Sequence, residues 1–153
     1  MSVTARLTEL GITLPAAAIP VASYVPVVIE GNMLFVSGQL PVRDGHMIKG
    51  YLGREVSIEE GARAAELCAL NILAQVSAAL DGHLDRVARV VKLGGFVACT
   101  ADFTDHPKVI NGASDLMIKV FGDAGKHARA AVGVPSLPLG AAVEVDAVFA
   151  LRD

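Results

Sequence analysis

Residues 128–153 read ARAAVGVPSLPLGAAVEVDAVFALRD and contain two short apolar runs with a turn between them. The first run covers residues 129–134 and the second covers residues 142–151. The segment 135–140 that separates them is rich in proline and glycine, which end strands and form turns. This stretch therefore predicts two strands joined by a loop, which is a hairpin.

Each of these predicted strands carries charge at an unexpected position. Strand side chains alternate between two faces, so the odd-numbered apolar residues of 143–151 share one face and leave Glu144 and Asp146 on the other. Arg129 begins a run that otherwise holds only Ala, Val and Gly. A charge among strand residues costs free energy unless it is paired or hydrated. Arg129 and Glu144 could form a structural ion pair, lie on a solvated face, or form a site that binds an anion and handles a proton.

The composition favours a single domain that associates with copies of itself. A chain of 153 residues has the length of one domain. Charged residues make up 19% and apolar residues 53% of it, against about 25% and 45 to 50% in typical soluble domains. These charges are too few to cover a monomer, so we expect a homo-oligomer that buries part of the apolar surface.

Charge, aromatic content and cysteine usage narrow the class of function. The net charge is −3, the basic residues are scattered and Trp is absent, which makes a nucleic acid partner unlikely. Cys68 and Cys99 do not form a CxxC motif and are interpreted as reduced thiols of a cytoplasmic protein. Three prolines interrupt the charge-free stretch 11–29, so we expect no membrane-spanning helix.

The first part of the chain divides into an arm and a hairpin. Residues 1–23 are expected to form an N-terminal arm with a possible short amphipathic helix over 2–10. Residues 24–153 are expected to form a single domain. This domain begins with a strand over 24–30, a glycine-asparagine turn and a second strand over 33–37.

Two helices follow. Ser57 and Glu60 have the spacing of a capping box, and apolar residues at helical spacing continue from there to a stop near Gly82. Pro107 marks the start of a second helix, which is expected to end at Gly122.

A long valine-rich strand over 84–100 lies between these helices and holds Gly94 and Gly95 in its middle. Two glycines inside a strand mark either a bend or a wall that a ligand approaches closely. The element order predicts an α+β fold in which two helices pack on one face of a mixed sheet. We expect the other face to be covered by further subunits.

The sequence contains no pattern that is typical of a metal or nucleotide site. The histidines 46, 83, 106 and 127 have no partner at helical ligand spacing and no nearby cysteine, so no metal site is predicted. A phosphate loop and a dinucleotide fingerprint are also missing from the sequence. We therefore expect a protein that works without a cofactor.

Two separated stretches form one recognisable pattern. One is RAAVGVPSLP at 129–138 followed by VEV at 143–145, and the other is Tyr24 followed by NMLFVSGQLP at 32–41. In order and internal spacing they resemble the YjgF/RidA family of reactive-intermediate deaminases. The resemblance spans residues 24–151. It implies a chorismate-mutase-like fold in which three chains form a barrel of sheets, with helices outside and sites in the clefts between subunits.

The resemblance also implies a reaction. Deaminases of this family hydrolyse the enamine or imine of small 2-amino acids, such as 2-aminoacrylate, to a 2-keto acid and ammonia. By position, Arg129 would hold the substrate carboxylate, Glu144 would hold the attacking water and Tyr24 would line the pocket. A guanidinium suits this role because it binds a carboxylate through two parallel hydrogen bonds, and a carboxylate in a partly desolvated cleft is a competent base for water.

The resemblance assigns substrate-binding positions as well. The backbone of Gly38, next to Ser37, would meet the imine nitrogen, and Asn111 of the second helix would reach the cleft. Better-known members carry a hydroxyl residue and a cysteine after the arginine, where this chain has Ala130 and Ala131. The site lined by Ala131 is therefore expected to be drier than theirs.

A non-catalytic function is the main alternative. A trimer could bind small carboxylate metabolites in its clefts as a regulatory or chaperone-like protein. Retention of Glu144 beside Arg129 favours the enzyme, because a carboxylate binder has no evident need for an opposing acid. Ribonuclease activity is disfavoured by the acidic net charge, and chorismate mutase activity is disfavoured because a dianionic substrate calls for more than one cation.

Overall fold

A computed structural model describes residues 1–19 and 23–153 of the chain. Within that part, the helices are α1 (Val3–Glu9), α2 (Ile58–Ala79) and α3 (His106–Phe121). The strands are β1 (Val27–Glu30), β2 (Met33–Gln39), β3 (Val42–Arg43), β4 (His46–Met47), β5 (Val87–Ala98), β6 (Ala128–Val134) and β7 (Val143–Leu151).

Five strands form one mixed sheet in the order β1, β2, β7, β5, β6. Neighbours in this sheet are antiparallel except β5 and β6, which are parallel. Strands β3 and β4 form a separate antiparallel ribbon. Helices α2 and α3 cover one face, and the main core between them and the sheet is built on residues such as Phe149, Ile72 and Leu93. The predicted α+β fold with two helices on one face of a mixed sheet is confirmed.

The predicted hairpin over residues 129–151 is wrong. Strands β6 and β7 belong to the same sheet, but β5 lies between them and pairs with both. The physical reason is the crossover: β5, α3 and β6 form a βαβ unit, which places β6 parallel to β5 at the sheet edge. The loop after β6 then passes across the end of β5 to reach the other side.

Local sequence patterns predicted the two long helices correctly. The Ser57 hydroxyl accepts a hydrogen bond from the Glu60 backbone at 3.1 Å, and the Glu60 carboxylate accepts from the Ser57 backbone at 3.4 Å. This is the predicted capping box, and it opens α2. Pro107 lies in the first turn of α3, and Gly122 directly follows its last residue. In the first turn of a helix the backbone N–H groups have no partner inside the helix, so a proline in the first turn of α3 removes no helical hydrogen bond.

The ends of two predicted strands differ from the structure. Strand β1 begins at Val27, because residues 23–26 form bends before it. Strand β5 begins at Val87, because Leu84–Arg86 form a short 3-10 turn. Neither prediction allowed for irregular chain at the strand entrance.

Gly94 and Gly95 leave room for side chains on opposite faces of the sheet. A Cβ atom on Gly94 would collide with the Asp146 carboxylate, and one on Gly95 would collide with Ile110 of α3. The register is regular here, and the shifts in the pairing of β5 with β7 lie nearer its start, before Lys92. The glycines therefore allow close packing rather than a bend.

The N-terminal arm contacts the domain through α1 and the segment after it. The Val3 backbone donates to the Asp85 carboxylate at 2.8 Å, and the Arg6 guanidinium donates to the Lys119 carbonyl at 2.9 Å. The buried Gln75 amide on α2 donates to the Ala18 carbonyl at 2.7 Å. The division of the chain at residue 23 remains a prediction, since residues 20–22 lie outside the described part.

The sheet face opposite the helices is apolar at its centre. Strand pairing places five apolar side chains on this face, and each is partly or well exposed: Val28, Phe35, Phe96, Val132 and Val148. Exposed fractions reach 49% for Val28 and 45% for Phe35. An apolar sheet face in water is typical of a surface that another chain covers.

Two further observations concern the cysteines and the length of the helices. Cys68 and Cys99 are free, and burial raises the pKa of both thiols. Among the helices of residues 1–19 and 23–153, none is long and apolar enough to cross a membrane.

Gly112→Ala is expected to destabilise the fold. A glycine-to-alanine change inside a helix normally stabilises by about 0.5–1 kcal/mol. Here the new methyl group would collide with the Ala62 carbonyl of α2, and overpacking costs about 1–3 kcal/mol. We expect a lower urea midpoint in equilibrium unfolding.

Gly61→Ala is the matched control. Its methyl group would meet side-chain carbons of Leu52 and Val109, the nearest at 2.9 Å. Side chains can shift where a backbone carbonyl cannot, so Gly61→Ala should lower the midpoint less. An equal or larger loss in Gly61→Ala would contradict the proposed close contact of the two helix backbones.

Candidate active site

Arg129 lies on the edge strand β6 and points to the helix-covered face. It is paired with Leu93, whose side chain is fully buried on that face. Its Nη1 atom donates to Oδ1 of Asn111 at 2.8 Å and to Oγ of Ser114 at 3.2 Å. Both acceptors are on α3, three residues apart and therefore on the same side of the helix. Helix α3 thus holds one nitrogen of the guanidinium.

Ser114 is itself held by a histidine. Its Oγ lies 2.8 Å from Nε2 of His127, and Nδ1 of His127 lies 2.6 Å from the Gly125 carbonyl. Ser114 is only 8% exposed. His127 and Arg129 are two residues apart, so they share a side of the extended chain. A continuous series of polar contacts therefore runs from the Gly125 carbonyl through His127 and Ser114 to the Arg129 guanidinium.

Glu144 lies on the opposite face of the sheet. Its neighbours Val143 and Val145 are fully buried against the helices, so the period of two directs Glu144 to the open face. There its carboxylate leans over Gly38 of β2: a Cβ atom on Gly38 would lie 2.5 Å from Oε2 of Glu144. Only glycine leaves the space that this carboxylate occupies.

A second carboxylate stands beside Glu144. Asp146 is two residues further along β7 and leans over Gly94 in the same way. Partial burial raises the pKa of Glu144, and the negative charge of Asp146 raises it further. Burial also raises the pKa of Asp146, although the Gly94 backbone and Lys92 oppose that shift. Each carboxyl group therefore holds its proton more tightly than in water.

Within one chain, Arg129 and Glu144 do not come together. Arg129 is on the helix-covered side of β6 and Glu144 is on the open side of β7, with β5 between the two strands. The ion-pair interpretation of these two residues is therefore wrong for a single chain. Each of them instead belongs to a separate half-site. The arginine half-site consists of Arg129, Asn111, Ser114 and His127, and the glutamate half-site consists of Glu144 and Gly38.

Tyr24 and Gly38 line a cavity of about 490 Å³. Arm residues from Pro15 to Ile19 form part of its wall. Tyr24 is 53% exposed. The Ser37 hydroxyl donates to the Val25 carbonyl at 2.9 Å and so fastens the Tyr24 segment to β2. Asn71 and Gln75 of α2 line the same cavity, whereas Glu144 is not among its lining residues.

Ala131 follows Arg129 on the same side of β6. It pairs with Gly95 and packs against the core, whereas Ala130 faces outward. The sequence analysis missed Ser114 and His127 as part of the arginine half-site. Two weak signals were available: Ser114 is one helical turn from Asn111, and His127 precedes Arg129 by two residues. Neither signal is specific without the structure.

Comparison with known proteins identifies the family. A sequence model described as "YjgF/chorismate_mutase-like, putative endoribonuclease" matches residues 4–151. The chain belongs to the YjgF/chorismate mutase-like family. The predicted family membership and chorismate-mutase-like fold are confirmed.

Several known proteins are similar to this chain over nearly their whole length. Protein TCP17 of Trypanosoma cruzi is 54% identical over 153 residues, which cover 99% of this chain and 95% of TCP17. The crystal structure of Atu1372 from Agrobacterium tumefaciens superposes with a TM-score of 0.91 at 53% identity, covering 98% of this chain and 92% of that one. A protein of Dermatophagoides farinae named 2-iminobutanoate/2-iminopropanoate deaminase is 28% identical, covering 92% of this chain and 95% of that protein.

Asp146→Asn should lower the pH at which Glu144 titrates. The change removes a negative charge that opposes ionisation of Glu144, while the effect of burial remains. Carbon-13 NMR of the side-chain carboxyl should show the Glu144 midpoint at lower pH than in the wild type. Asp115→Asn, on the exposed side of α3, is the control and should leave it unchanged. An unchanged or higher midpoint in Asp146→Asn would contradict direct repulsion.

Proposed function

We propose that this protein hydrolyses the enamines and imines of small 2-amino acids, of the 2-aminoacrylate and 2-iminopropionate type, to 2-keto acids and ammonia. The proposed site joins the arginine half-site of one chain to the glutamate half-site of the next in a homotrimer. One observation carries this proposal: a carboxylate-binding cation and a base for water are both present, but on opposite faces of the sheet. A partner chain is needed to bring them to one substrate.

The arginine half-site supports recognition of a carboxylate. Asn111 and Ser114 engage only Nη1 of Arg129, so the other donors of the guanidinium stay available for a ligand. A planar guanidinium binds a carboxylate through two parallel hydrogen bonds, which fix the orientation of the adjacent carbon. In a 2-imino acid that carbon is the one that water attacks.

The glutamate half-site supports activation of water. A base is most effective when its pKa approaches the working pH, and burial together with Asp146 moves the pKa of Glu144 in that direction. Ionised Glu144 accepts a proton from water as the oxygen bonds to C2 of the imine, and it passes this proton to the imine nitrogen. Glu144 then takes the hydroxyl proton of the resulting carbinolamine and delivers it to the amine nitrogen. Ammonia leaves as the C2–N bond breaks and the keto group forms.

The remaining residues have supporting roles in this proposal. Tyr24 lines the pocket, and the partly exposed backbone of Gly38 meets the substrate nitrogen beside Ser37. Ala131 forms part of the dry wall next to Arg129. No step requires a metal or an organic cofactor, because proton transfer and positioning are enough to speed imine hydrolysis.

A trimer is supported by the surface of the chain. The apolar open face gives three sheets a common interior to bury, and a closed ring explains the small share of charged residues. Head-to-tail contacts of such a ring would bring β6 of one chain to the open face of the next. We place the protein in the cytoplasm, a proposal that two free cysteines support.

Loss of either half-site should abolish most activity. Imines are generated in place by an amino-acid oxidase, semicarbazide traps what escapes, and 2-keto acid release is measured. Glu144→Gln should lower kcat by about 100-fold or more, since it removes the base. Arg129→Ala should lower kcat/KM by about 100-fold through loss of a charge-assisted bidentate contact.

The matched controls are on the exposed side of α2. Glu66→Gln and Arg63→Ala remove the same charges from exposed side chains that are outside both half-sites, and they should retain wild-type rates. A wild-type protein that performs no better than buffer would exclude the deaminase function for the imines tested. If such a protein still bound 2-keto acids through Arg129, the non-catalytic carboxylate-binding function would replace it.

Mixed trimers test whether the site spans two chains. Arg129→Ala chains and Glu144→Gln chains are each inactive, and they are coexpressed in equal amounts. In random trimers with head-to-tail sites, roughly a quarter of the sites combine an intact arginine with an intact glutamate. We expect about that fraction of wild-type activity to return. No recovery in confirmed mixed trimers would show that both residues act from the same chain.

A further inference from the structure

We propose that Ser114 and His127 are positioning residues that orient Arg129 before a carboxylate binds. His127 contacts Ser114, and Ser114 together with Asn111 holds Nη1 of the guanidinium. The edge formed by Nε and Nη2 is left for the ligand. This inference rests on the proposed function, because it assumes that Arg129 receives the carboxylate. It assigns a role to two further residues and specifies which edge of the guanidinium receives the carboxylate.

The direction of each hydrogen bond follows from the groups involved. The Gly125 carbonyl can only accept, so Nδ1 of His127 must carry the proton that it shares with this oxygen at 2.6 Å. In a neutral imidazole, Nε2 is then an acceptor. The Ser114 hydroxyl therefore donates to Nε2 at 2.8 Å, and its lone pairs face Nη1 of Arg129 at 3.2 Å.

This arrangement determines which edge of Arg129 is available. Nη1 has two hydrogens, and Asn111 and Ser114 take one each. Three donors remain, two on Nη2 and one on Nε, and no acceptor for them is found among the residues that the structure describes. The Nε and Nη2 edge presents two nearly parallel N–H groups, which matches the two oxygens of a carboxylate.

The positioning residues are firmly attached to the fold. Ser114 is on the buried side of α3, where its hydroxyl would be unsatisfied without its partners. Gly125 packs directly on the last turns of α3, since a Cβ atom there would collide with the Met117 carbonyl. The carbonyl that orients His127 is thereby fixed to the same helix that carries Asn111 and Ser114.

Such an arrangement affects binding through preorganisation. A free arginine side chain has many rotamers, and ordering it on ligand binding costs up to about 2 kcal/mol of rotamer entropy. A guanidinium that is already oriented avoids much of this cost.

Three variants separate positioning from general stability. Ser114→Ala removes the hydroxyl. His127→Gln keeps an amide at the place of Nε2, which can still accept from Ser114, whereas His127→Asn keeps only a group at the place of Nδ1. Dissociation constants for pyruvate, measured by NMR titration, should rise about tenfold in Ser114→Ala and His127→Asn. His127→Gln should stay within about twofold of the wild type, as should the control His83→Asn at a distant exposed turn.

Kinetics and guanidinium spectra provide the decisive readouts. In the imine assay KM should rise with pyruvate affinity, while kcat changes by less than about threefold. Nitrogen-15 spectra of wild-type Arg129 should show separate Nη1 and Nη2 signals, with pyruvate shifting Nε and Nη2. In Ser114→Ala and His127→Asn the two Nη signals should merge at a lower temperature than in the wild type, because Asn111 alone still holds Nη1 and the guanidinium rotates faster. His127→Gln should keep them apart.

The outcomes distinguish this inference from the deaminase proposal. A wild type without deaminase activity that binds pyruvate through Nε and Nη2, and loses affinity in Ser114→Ala, would retain the positioning role and overturn the reaction. Unchanged pyruvate affinity in Ser114→Ala, with Nη signals that merge at the same temperature as in the wild type, would overturn the positioning role, whatever the activity. Equal losses in His127→Gln and His127→Asn would also overturn it, because they would indicate a requirement for the imidazole ring itself.

Discussion

Helix α3 packs so closely on its neighbours that two positions admit no side chain, and the arginine half-site depends on this packing. Gly112 meets the backbone of α2, and Gly95 of β5 meets Ile110 of α3. These contacts fix the helix along its length, so Asn111 and Ser114 are presented to the edge strand in a constant position. A guanidinium held by two side chains of one rigid helix has far less freedom than a solvated one.

The open face of the sheet carries two neighbouring carboxylates. Two carboxylates two residues apart on β7 each lean over a glycine of a neighbouring strand, Glu144 over Gly38 and Asp146 over Gly94. Partial burial raises the pKa of Glu144, and the nearby charge of Asp146 raises it further. For a sheet that only needed to be stable, a neutral residue at either position would be better. Keeping both acids is consistent with a base whose proton affinity is adjusted for catalysis.

Much of this fold could be predicted from the sequence, because its strongest signals are local. The capping box at Ser57 and the alternation along β7 depend only on spacing, and both are confirmed. The hairpin was wrong because the choice of partner for β6 is not local: α3 returns the chain beside β5, and no spacing within residues 128–153 records that. Ser114 and His127 were not predicted for the same reason, since their hydrogen-bonded contacts with Arg129 form only after α3 has packed on the sheet.

The same topology separates the two halves of the proposed active site within one chain. Parallel pairing of β6 with β5 turns Arg129 toward the helices, while the alternation of β7 turns Glu144 away from them. No side-chain rotation can bring the two groups to one small substrate, because β5 separates their strands. An edge strand with free backbone groups and an apolar open face are the surfaces through which sheets join other sheets. Assembly would therefore complete the proposed site and cover the apolar face in one step, so that chemistry and stability would depend on the same contact.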